Sequence, residues 1–290
     1  MPDNDSQESQ ANPEDHSVLD LFQLTGRVAV ITGGAGMLGS RYADAIAEAG
    51  GSPVLVDLDG ERASQIAGEI ADRHQVKTLG IGVDITSKTE VDRLRDRIVE
   101  EFGRIDILIN NAALTVKGGG SSGGNYFAPF EEYSQELFDR ALGVNLTGSF
   151  LVTQSIGSWM ANNNSGVVVN ISSDVAMISP DHRIYEGMEY DGQPFNTPIA
   201  YSMSKAALLA MTRYLATYWA DSGVRVNALV PAGVFDEHEQ DFVIRLSNVI
   251  PMARMAHKDE YKGAILFLCS EASSFMTGAS LVVDGGRTAW

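Results

Sequence analysis

A single cysteine in a chain of 290 residues leaves no partner for an internal disulfide. Cys269 sits inside the apolar run Ala264-Ile-Leu-Phe-Leu-Cys269, so a buried packing role is expected for it. Basic residues are scarce: 21 Lys and Arg stand against 38 Asp and Glu, a net charge of −17. So acidic a surface repels phosphate backbones, which argues against nucleic acid as a partner. No apolar run approaches the ~18 residues that a membrane span requires. Residues 1–20 carry Asp3, Asp5, Glu8, Glu14, Asp15 and Asp20 without one Lys or Arg, which is a disordered acidic tail by composition and lacks the basic start of a secretory signal. A soluble, cytoplasmic protein is expected. No cluster of His, Cys and acids has metal-ligand spacing, and His238 between Glu237 and Glu239 reads as a solvated loop, so no metal is expected.

What is present is an alternation of strands and helices over residues 21–290, with 44% hydrophobic residues to fill one large core. Strand-like runs occur at 27–31, 53–57, near 78–83 and 105–110, then at 166–171, 224–230 and 280–284. Helical patterns fall at 40–49, near 61–73, 88–102, 131–160, 199–220 and 259–269. Strands that alternate with helices imply an α/β fold: one domain with a doubly wound, mostly parallel, seven-stranded sheet, helices on both faces, and ligands beyond the carboxyl ends of the strands. The stretch Lys117-Gly-Gly-Gly-Ser-Ser-Gly-Gly-Asn125 reads as a mobile surface loop.

The first strand runs directly into Thr32-Gly-Gly-Ala-Gly-Met-Leu-Gly39 and a strong helix former. Strand, glycine turn, helix is the context that makes a glycine pattern a dinucleotide site. Gly33 and Gly36 permit the tight turn and a close backbone approach to a pyrophosphate. Gly39 lets the helix pack against the strand, so that the first amides, at Met37 and Leu38, point at the phosphates. A plain tight turn is the competing reading. The second strand ends at Asp57, followed by Leu58 and Asp59. A carboxylate there accepts from adenosine ribose hydroxyls and repels a 2′-phosphate, so NAD is expected over NADP. The alternative is that Asp57 only caps the next helix, a role open to Asp59 as well.

Tyr201-Ser-Met-Ser-Lys205 places a phenol and an ammonium one turn apart on a helix face. A positive charge beside a phenol lowers its pKa and makes it usable in proton transfer near neutrality.

Taken together the motifs resemble the short-chain dehydrogenase/reductase family, in its compact single-domain branch with a Rossmann fold. The resemblance runs from Gly26 to Asp284 through the glycine loop, Asp84, Asn110-Asn-Ala-Ala113, Val144-Asn145-Leu-Thr-Gly148, Asn170-Ile-Ser-Ser173, Tyr201 to Lys205, Asn227 ahead of Pro231, and Val283-Asp-Gly-Gly286. It implies that Asn145, Ser173, Tyr201 and Lys205 form the catalytic tetrad, with Ser172 the alternative serine. It also implies that Asp84 and Ile85 frame the adenine, that Asn111, Ala112 and Ala113 line the adenosine ribose, and that Pro231, Gly233 and Val234 meet the nicotinamide end. In such enzymes Tyr201 exchanges the hydroxyl proton while hydride passes to the nicotinamide. Lys205 lowers the phenol's pKa and holds the nicotinamide ribose, Ser173 hydrogen-bonds the reacting oxygen, and Asn145 holds a water leading from Lys205 to solvent.

Three departures stand out. Met37 replaces the branch's second loop glycine, a spacing seen in epimerases and dehydratases. Ala232 follows Pro231 in place of glycine, and Asp236 stands where a threonine often contacts the carboxamide. Ser173 and Tyr201 are 28 residues apart because a polar insertion spans 180–197, readable as a substrate cover, a subunit contact or a passive loop. Its acids, His182 and Arg183 suit a hydroxylated substrate such as a sugar or sugar phosphate. A narrower resemblance, through 212–219, 259–263 and 284–290, is to PtmA-like oxidoreductases of flagellin glycosylation and nonulosonic-acid synthesis, and implies amino-sugar metabolism. A sugar epimerase or dehydratase with transient oxidation, and a nonenzymatic cofactor sensor, remain alternatives. A homo-oligomer, dimer or tetramer, is expected from the apolar chain end at Trp290 and from Phe138, Leu142, Phe150, Trp159, Leu208, Met211, Leu215 and Trp219 on the two long helices.

Overall fold

Each strand sorts its side chains by parity. In β1 (Val28–Thr32), Val28 and Val30 point into one apolar cluster and Ala29 and Ile31 into another, as a pleat of period two requires when both faces are covered. The computed structural model describes residues 17–114, 125–190 and 192–290. Most of the acidic tail, the glycine-rich stretch up to Gly124, and Asp191 therefore lie outside the described residues.

β1 leads through α1 (Met37–Glu48) to β2 (Ser52–Asp57), then α2 (Gly60–His74), β3 (Leu79–Gly82), α3 (Lys88–Phe102) and β4 (Ile107–Asn110). A long helical run follows, made of α4 (Gln135–Leu142), α5 (Ser149–Val152) and α6 (Ser158–Asn162) joined by π-helical turns at Gly143–Gly148 and Thr153–Gly157. Next come β5 (Gly166–Ile171), a two-stranded antiparallel hairpin of β6 (Glu189–Tyr190) and β7 (Gln193–Pro194), α7 (Ile199–Tyr218), β8 (Val224–Pro231), α8 (Gln240–Asn248), α9 (Lys262–Cys269) and β9 (Ser280–Val283). The main sheet has the order β3-β2-β1-β4-β5-β8-β9. All its pairings are parallel, so the expected fold holds and "mostly parallel" becomes wholly parallel.

The chain winds outward from β1 to β3, returns, and winds the other way from β4. The connections after β1 and β4 thus diverge, and this switch point is where open α/β sheets hold ligands. Polar side chains tie the central strands from within. Asn110 Nδ2 donates to Asn170 Oδ1 at 2.8 Å and to Thr153 Oγ1 at 2.7 Å, and Asn170 Nδ2 donates to Thr212 Oγ1 at 2.9 Å. This buried chain joins β4, β5, the helical run and α7, and holds in register the strand ends that carry the site. Cys269 is buried in the core. Among the described residues no helix is long and apolar enough to cross a membrane.

Candidate active site

The β1–α1 turn is built for close approach. Gly33 has φ +63°, and a Cβ there would lie 2.9 Å from Ala112 Cα; a Cβ on Gly39 would overlap the Gly33 carbonyl oxygen. Only hydrogen fits at either position. α1 starts at Met37 with Gly36 as its cap, so the amides of Met37 and Leu38 have no carbonyl one turn before them and present the positive end of the helix to the switch point. Asn111 closes the other side. Its Nδ2 donates to the carbonyls of Thr32 and Gly33 at 3.0 and 3.1 Å, and Thr32 Oγ1 receives the amides of Asn111 and Ala112 at 3.0 and 3.1 Å. Together these contacts draw the turn, Asn111 and the start of α1 close, with Met37 at the head of the helix.

Asp57 at the end of β2 is latched to this loop, accepting from the Ala35 amide at 3.0 Å through Oδ2 and from the Asp59 amide at 3.3 Å through Oδ1. The helix cap is Asp59, which accepts from the Arg62 amide. Asp57 is therefore free of the capping role left open above. Leu58 beside it is exposed. Asp84 accepts from the amide and hydroxyl of Thr86 at 2.9 and 2.7 Å. Ile85 is buried against Gly148, where a Cβ would come within 2.8 Å of its side chain.

At the end of β5 the polar residues converge with the start of α7. Ser172 donates to the Lys205 carbonyl at 2.8 Å and so is spent on holding the helix. Ser173 is the serine beside Tyr201, whose phenol it draws down by hydrogen bonding. Burial outweighs that pull and pushes the Tyr201 phenol up to about 12, and the Asp174 carboxylate and Tyr185 add to the rise. Burial also holds the Lys205 ammonium down at about 8. The expected lowering of Tyr201 by Lys205 is thus reversed. Lys205 Nζ is bound to the Ile171 carbonyl at 2.8 Å and lies 5.7 Å from the tyrosine ring centroid, and desolvation decides. Asn145, fully buried in the first π-helical turn, accepts from the Leu114 amide at 2.7 Å and donates to Ser204 Oγ at 3.1 Å. Its amide thus joins the β4 exit to α7.

After β8, the phenol of Tyr261 meets the backbone of Ala232 at 3.2 and 3.3 Å. This supports the chain where the family's usual glycine is missing. A Cβ on Gly233 would come within 2.8 Å of the Leu246 side chain, and Val234 bridges to Ala256. The Asp236 amide donates to His238 Nδ1 at 3.1 Å, which turns this segment back on itself.

The insertion, polar by composition, has an apolar underside. Ile184 packs with Phe242, Leu246, Ile250 and Met255, and Phe195 stacks on Phe127 and on Tyr185 at centroid distances of 3.9 and 4.8 Å. It bridges the segment before α4 and α8, and borders a cavity of about 500 Å³ lined by Tyr133, Val175, His182, Asn196, Thr197 and Ser202 among others. Val175 and Ser202 of this lining are chain neighbours of Ser173 and Tyr201, which do not themselves line it. Tyr133 and Ser202 each carry a buried hydroxyl oxygen without a partner among the described residues.

Two neighbouring residues had no signal in the sequence. Asp174 follows Ser173 and receives its hydroxyl at 2.9 Å, and Arg287 donates to the other carboxylate oxygen at 2.7 Å, both charged side chains being buried. They lie 113 residues apart, and only the fold brings them together.

The family model for enoyl-(acyl carrier protein) reductases matches residues 34–288. D-threitol dehydrogenase of Mycolicibacterium smegmatis is 34% identical over 273 residues, which cover 92% of this chain and 95% of that protein. Two solved structures share the fold closely. NAD⁺-bound xylitol dehydrogenase has a TM-score of 0.79 at 28% identity, covering 91% of this chain and 99% of its own. A gluconate 5-dehydrogenase from Burkholderia cenocepacia J2315, in complex with NADP and tartrate, has a TM-score of 0.82 at 29% identity, covering 94% and 100%. The chain belongs to the short-chain dehydrogenase/reductase family. It is an oxidoreductase acting on CH–OH groups and using a nicotinamide cofactor.

Proposed function

We propose that this protein is an NAD-dependent dehydrogenase that interconverts a secondary alcohol and a ketone in a polyol or sugar. The observation that carries the reading is the meeting of Ser173, Tyr201 and Lys205 at the end of β5, beside a loop to which Asp57 is latched. Gly33, Gly36, Met37 and Leu38 hold the pyrophosphate, and Asp57 with Leu58 takes the adenosine ribose. Asp84 and Ile85 frame the adenine, Asn111, Ala112 and Ala113 wall the cleft, and Pro231, Gly233 and Val234 receive the nicotinamide end.

When bound, an oxidised nicotinamide would supply the hydride acceptor. Tyr201, once its own phenol proton has passed to solvent, accepts the proton of the substrate hydroxyl as a phenolate. Ser173 holds the reacting oxygen and Lys205 the nicotinamide ribose. Asn145 acts by position, since both polar ends of its amide are engaged in joining the β4 exit to α7.

A hydroxylated substrate suits the polar residues His182, Asn196 and Thr197 that line the cavity bordered by the insertion. The threitol and xylitol dehydrogenases above act on such molecules by name. We rank an amino sugar second, because the relatives that match over most of the chain include polyol dehydrogenases. NAD is preferred to NADP on the strength of Asp57, although the gluconate enzyme carries NADP.

A panel of glycerol, threitol, xylitol and gluconate with NAD, followed by absorbance of the reduced cofactor, tests the reading. Net formation of reduced cofactor with a panel member, lost in Tyr201→Phe, is expected. Transient formation without net product would instead indicate an epimerase.

A further inference from the structure

The last turn of the chain reaches the catalytic end of β5. Gly285 and Gly286 both have positive φ, and Asp284 receives the amides of Gly286 and Thr288 at 2.8 and 2.7 Å. The turn so formed directs Arg287 inward, where its Nη1 donates to Asp174 Oδ2 at 2.7 Å. Side-chain exposures of 7% for Arg287 and 4% for Asp174 make this a desolvated pair, in which either charge alone would go unscreened.

Ser173 joins that pair to the phenol. Its Oγ donates to Asp174 Oδ1 at 2.9 Å in the resting site, and the same hydroxyl is in hydrogen-bond contact with Tyr201. The order is phenol, serine, carboxylate, guanidinium. A lone carboxylate so placed would repel a phenolate, and it would compete with the reacting oxygen for the serine's hydrogen. Arg287 weakens both effects, because an ion pair has little net field at the phenol and a carboxylate already engaged by a guanidinium, and by the Val175 amide at 2.9 Å, gives up the serine more readily.

The other titratable groups facing Tyr201 are Tyr42 on α1, Tyr126 ahead of α4, Tyr185 in the insertion and Lys205 on α7. Tyr185 and Tyr261, the latter at the head of α9, face Asp174. Burial raises all four of these phenols and keeps them neutral. Asp181, which also faces Arg287, is engaged by Arg183 at 2.7 Å. Among the described residues Arg287 is thus the cation paired with Asp174.

We propose that Arg287 is a positioning residue for the reaction, neutralising Asp174 so that Ser173 can turn its hydrogen to the reacting oxygen and Tyr201 can act as the base. This deepens the functional reading above and rests on its assignment of Ser173 and Tyr201. In alcohol oxidation the substrate hydroxyl gives its hydrogen to the Tyr201 phenolate, while Ser173 bonds the same oxygen as negative charge grows there.

The test is the pH profile of kcat/KM for oxidation with NAD of whichever of glycerol, threitol, xylitol and gluconate reacts fastest. Oxidation needs the phenolate, so the rate rises as the pH passes through the phenol's pKa. Arg287→Met leaves a lone carboxylate and should move that rise to higher pH by about one unit or more. Asp174→Asn leaves a lone guanidinium and should move it to lower pH. Asp174→Asn/Arg287→Met holds no charge at the pair and should return the rise to within about half a unit of the intact protein, as should Arg287→Lys.

Melting temperature and NADH affinity, measured alongside, identify the variants that fold and bind cofactor. A purely structural role would lower rates without moving the profile in opposite directions for the two single variants. If one single variant does not fold, the other decides by the same shift. A profile unmoved in a folded single variant, or displaced by a unit or more in Arg287→Lys or the double variant, overturns the proposal. Full turnover in Ser173→Ala or Tyr201→Phe, or none with any panel member, would instead overturn the reading of the site on which the proposal stands.

Discussion

Replacing Asp57 by Asn isolates the charge that selects the cofactor. The Asp57 carboxylate is fixed by the Ala35 amide at 3.0 Å and by the Asp59 amide at 3.3 Å, so it cannot swing away from a phosphate placed on the adenosine ribose. Two unit charges ~4 Å apart interact by ~1 kcal/mol in water and ~4 kcal/mol at the effective dielectric of a protein surface. Asp57 is half-buried and a ribose phosphate carries nearly two charges, so the repulsion should be at least ~2 kcal/mol, or about thirtyfold in affinity. No basic residue at 58 or 59 offsets it. In Asp57→Asn the amide oxygen still accepts from Ala35, so the loop keeps its shape while the charge is gone. NADP should then tighten by at least about tenfold, and NAD should weaken only by the loss of charge assistance to its ribose. Titrations of protein fluorescence with both reduced cofactors read both constants. Equal constants in the intact protein, or an unchanged ratio in Asp57→Asn, would refute the assignment of Asp57 to the ribose.

Tyr201→Phe should keep cofactor affinity and lower turnover by ~10²-fold or more, the scale of a general acid–base group; stopped-flow turnover with a parallel binding titration checks it. Lys205→Ala should harm both turnover and cofactor affinity, because its ammonium is assigned to the ribose as well as to the tyrosine's surroundings. Asp44 should matter for acid stability. Burial alone would raise its carboxyl pKa, but hydrogen bonds from Lys262, His74 and Arg73 bring it to about 2 from an ordinary 3.8. That stabilisation, about 2 kcal/mol, is fully present above pH 3.8 and is lost as the pH falls toward 2. Denaturant unfolding of Asp44→Asn should therefore show a deficit at neutral pH that closes in acid. Finally, Met203, Tyr214 and Tyr218 on α7 and Phe150 on α5 are exposed, as is Trp290, and sedimentation should give an oligomer. The variant to compare is Trp290→Ala, since removing residues beyond Gly286 would also remove the buried Arg287.

Much of this was written locally in the chain. Strand limits such as Gly166–Ile171 follow from runs of β-branched residues, and the tight β1–α1 turn from its glycines. Helix α8 is not legible in the sequence although Phe242, Leu246 and Ile250 recur every four residues, because the charged run from Asp236 to Asp241 reads as loop. The charges of the insertion dominate its sequence, whereas Ile184, Tyr185 and Phe195, which dock it, follow no period. Three features had no local signature. The engagement of Asn145 depends on Leu114 and Ser204, the rise of Tyr201 depends on how deeply α7 is packed, and the Asp174–Arg287 pair depends on the last turn of the chain folding back on β5. Each arises from tertiary packing, which sets burial and partners together.

The most direct test of the central claim is the absorbance of reduced cofactor formed from NAD and the polyol panel, with intact protein and Tyr201→Phe side by side. The account predicts net, stoichiometric reduction with at least one polyol or sugar acid, lost in the variant while the variant still binds NADH. Reduction that survives Tyr201→Phe unchanged, or none with any member of the panel, would contradict it.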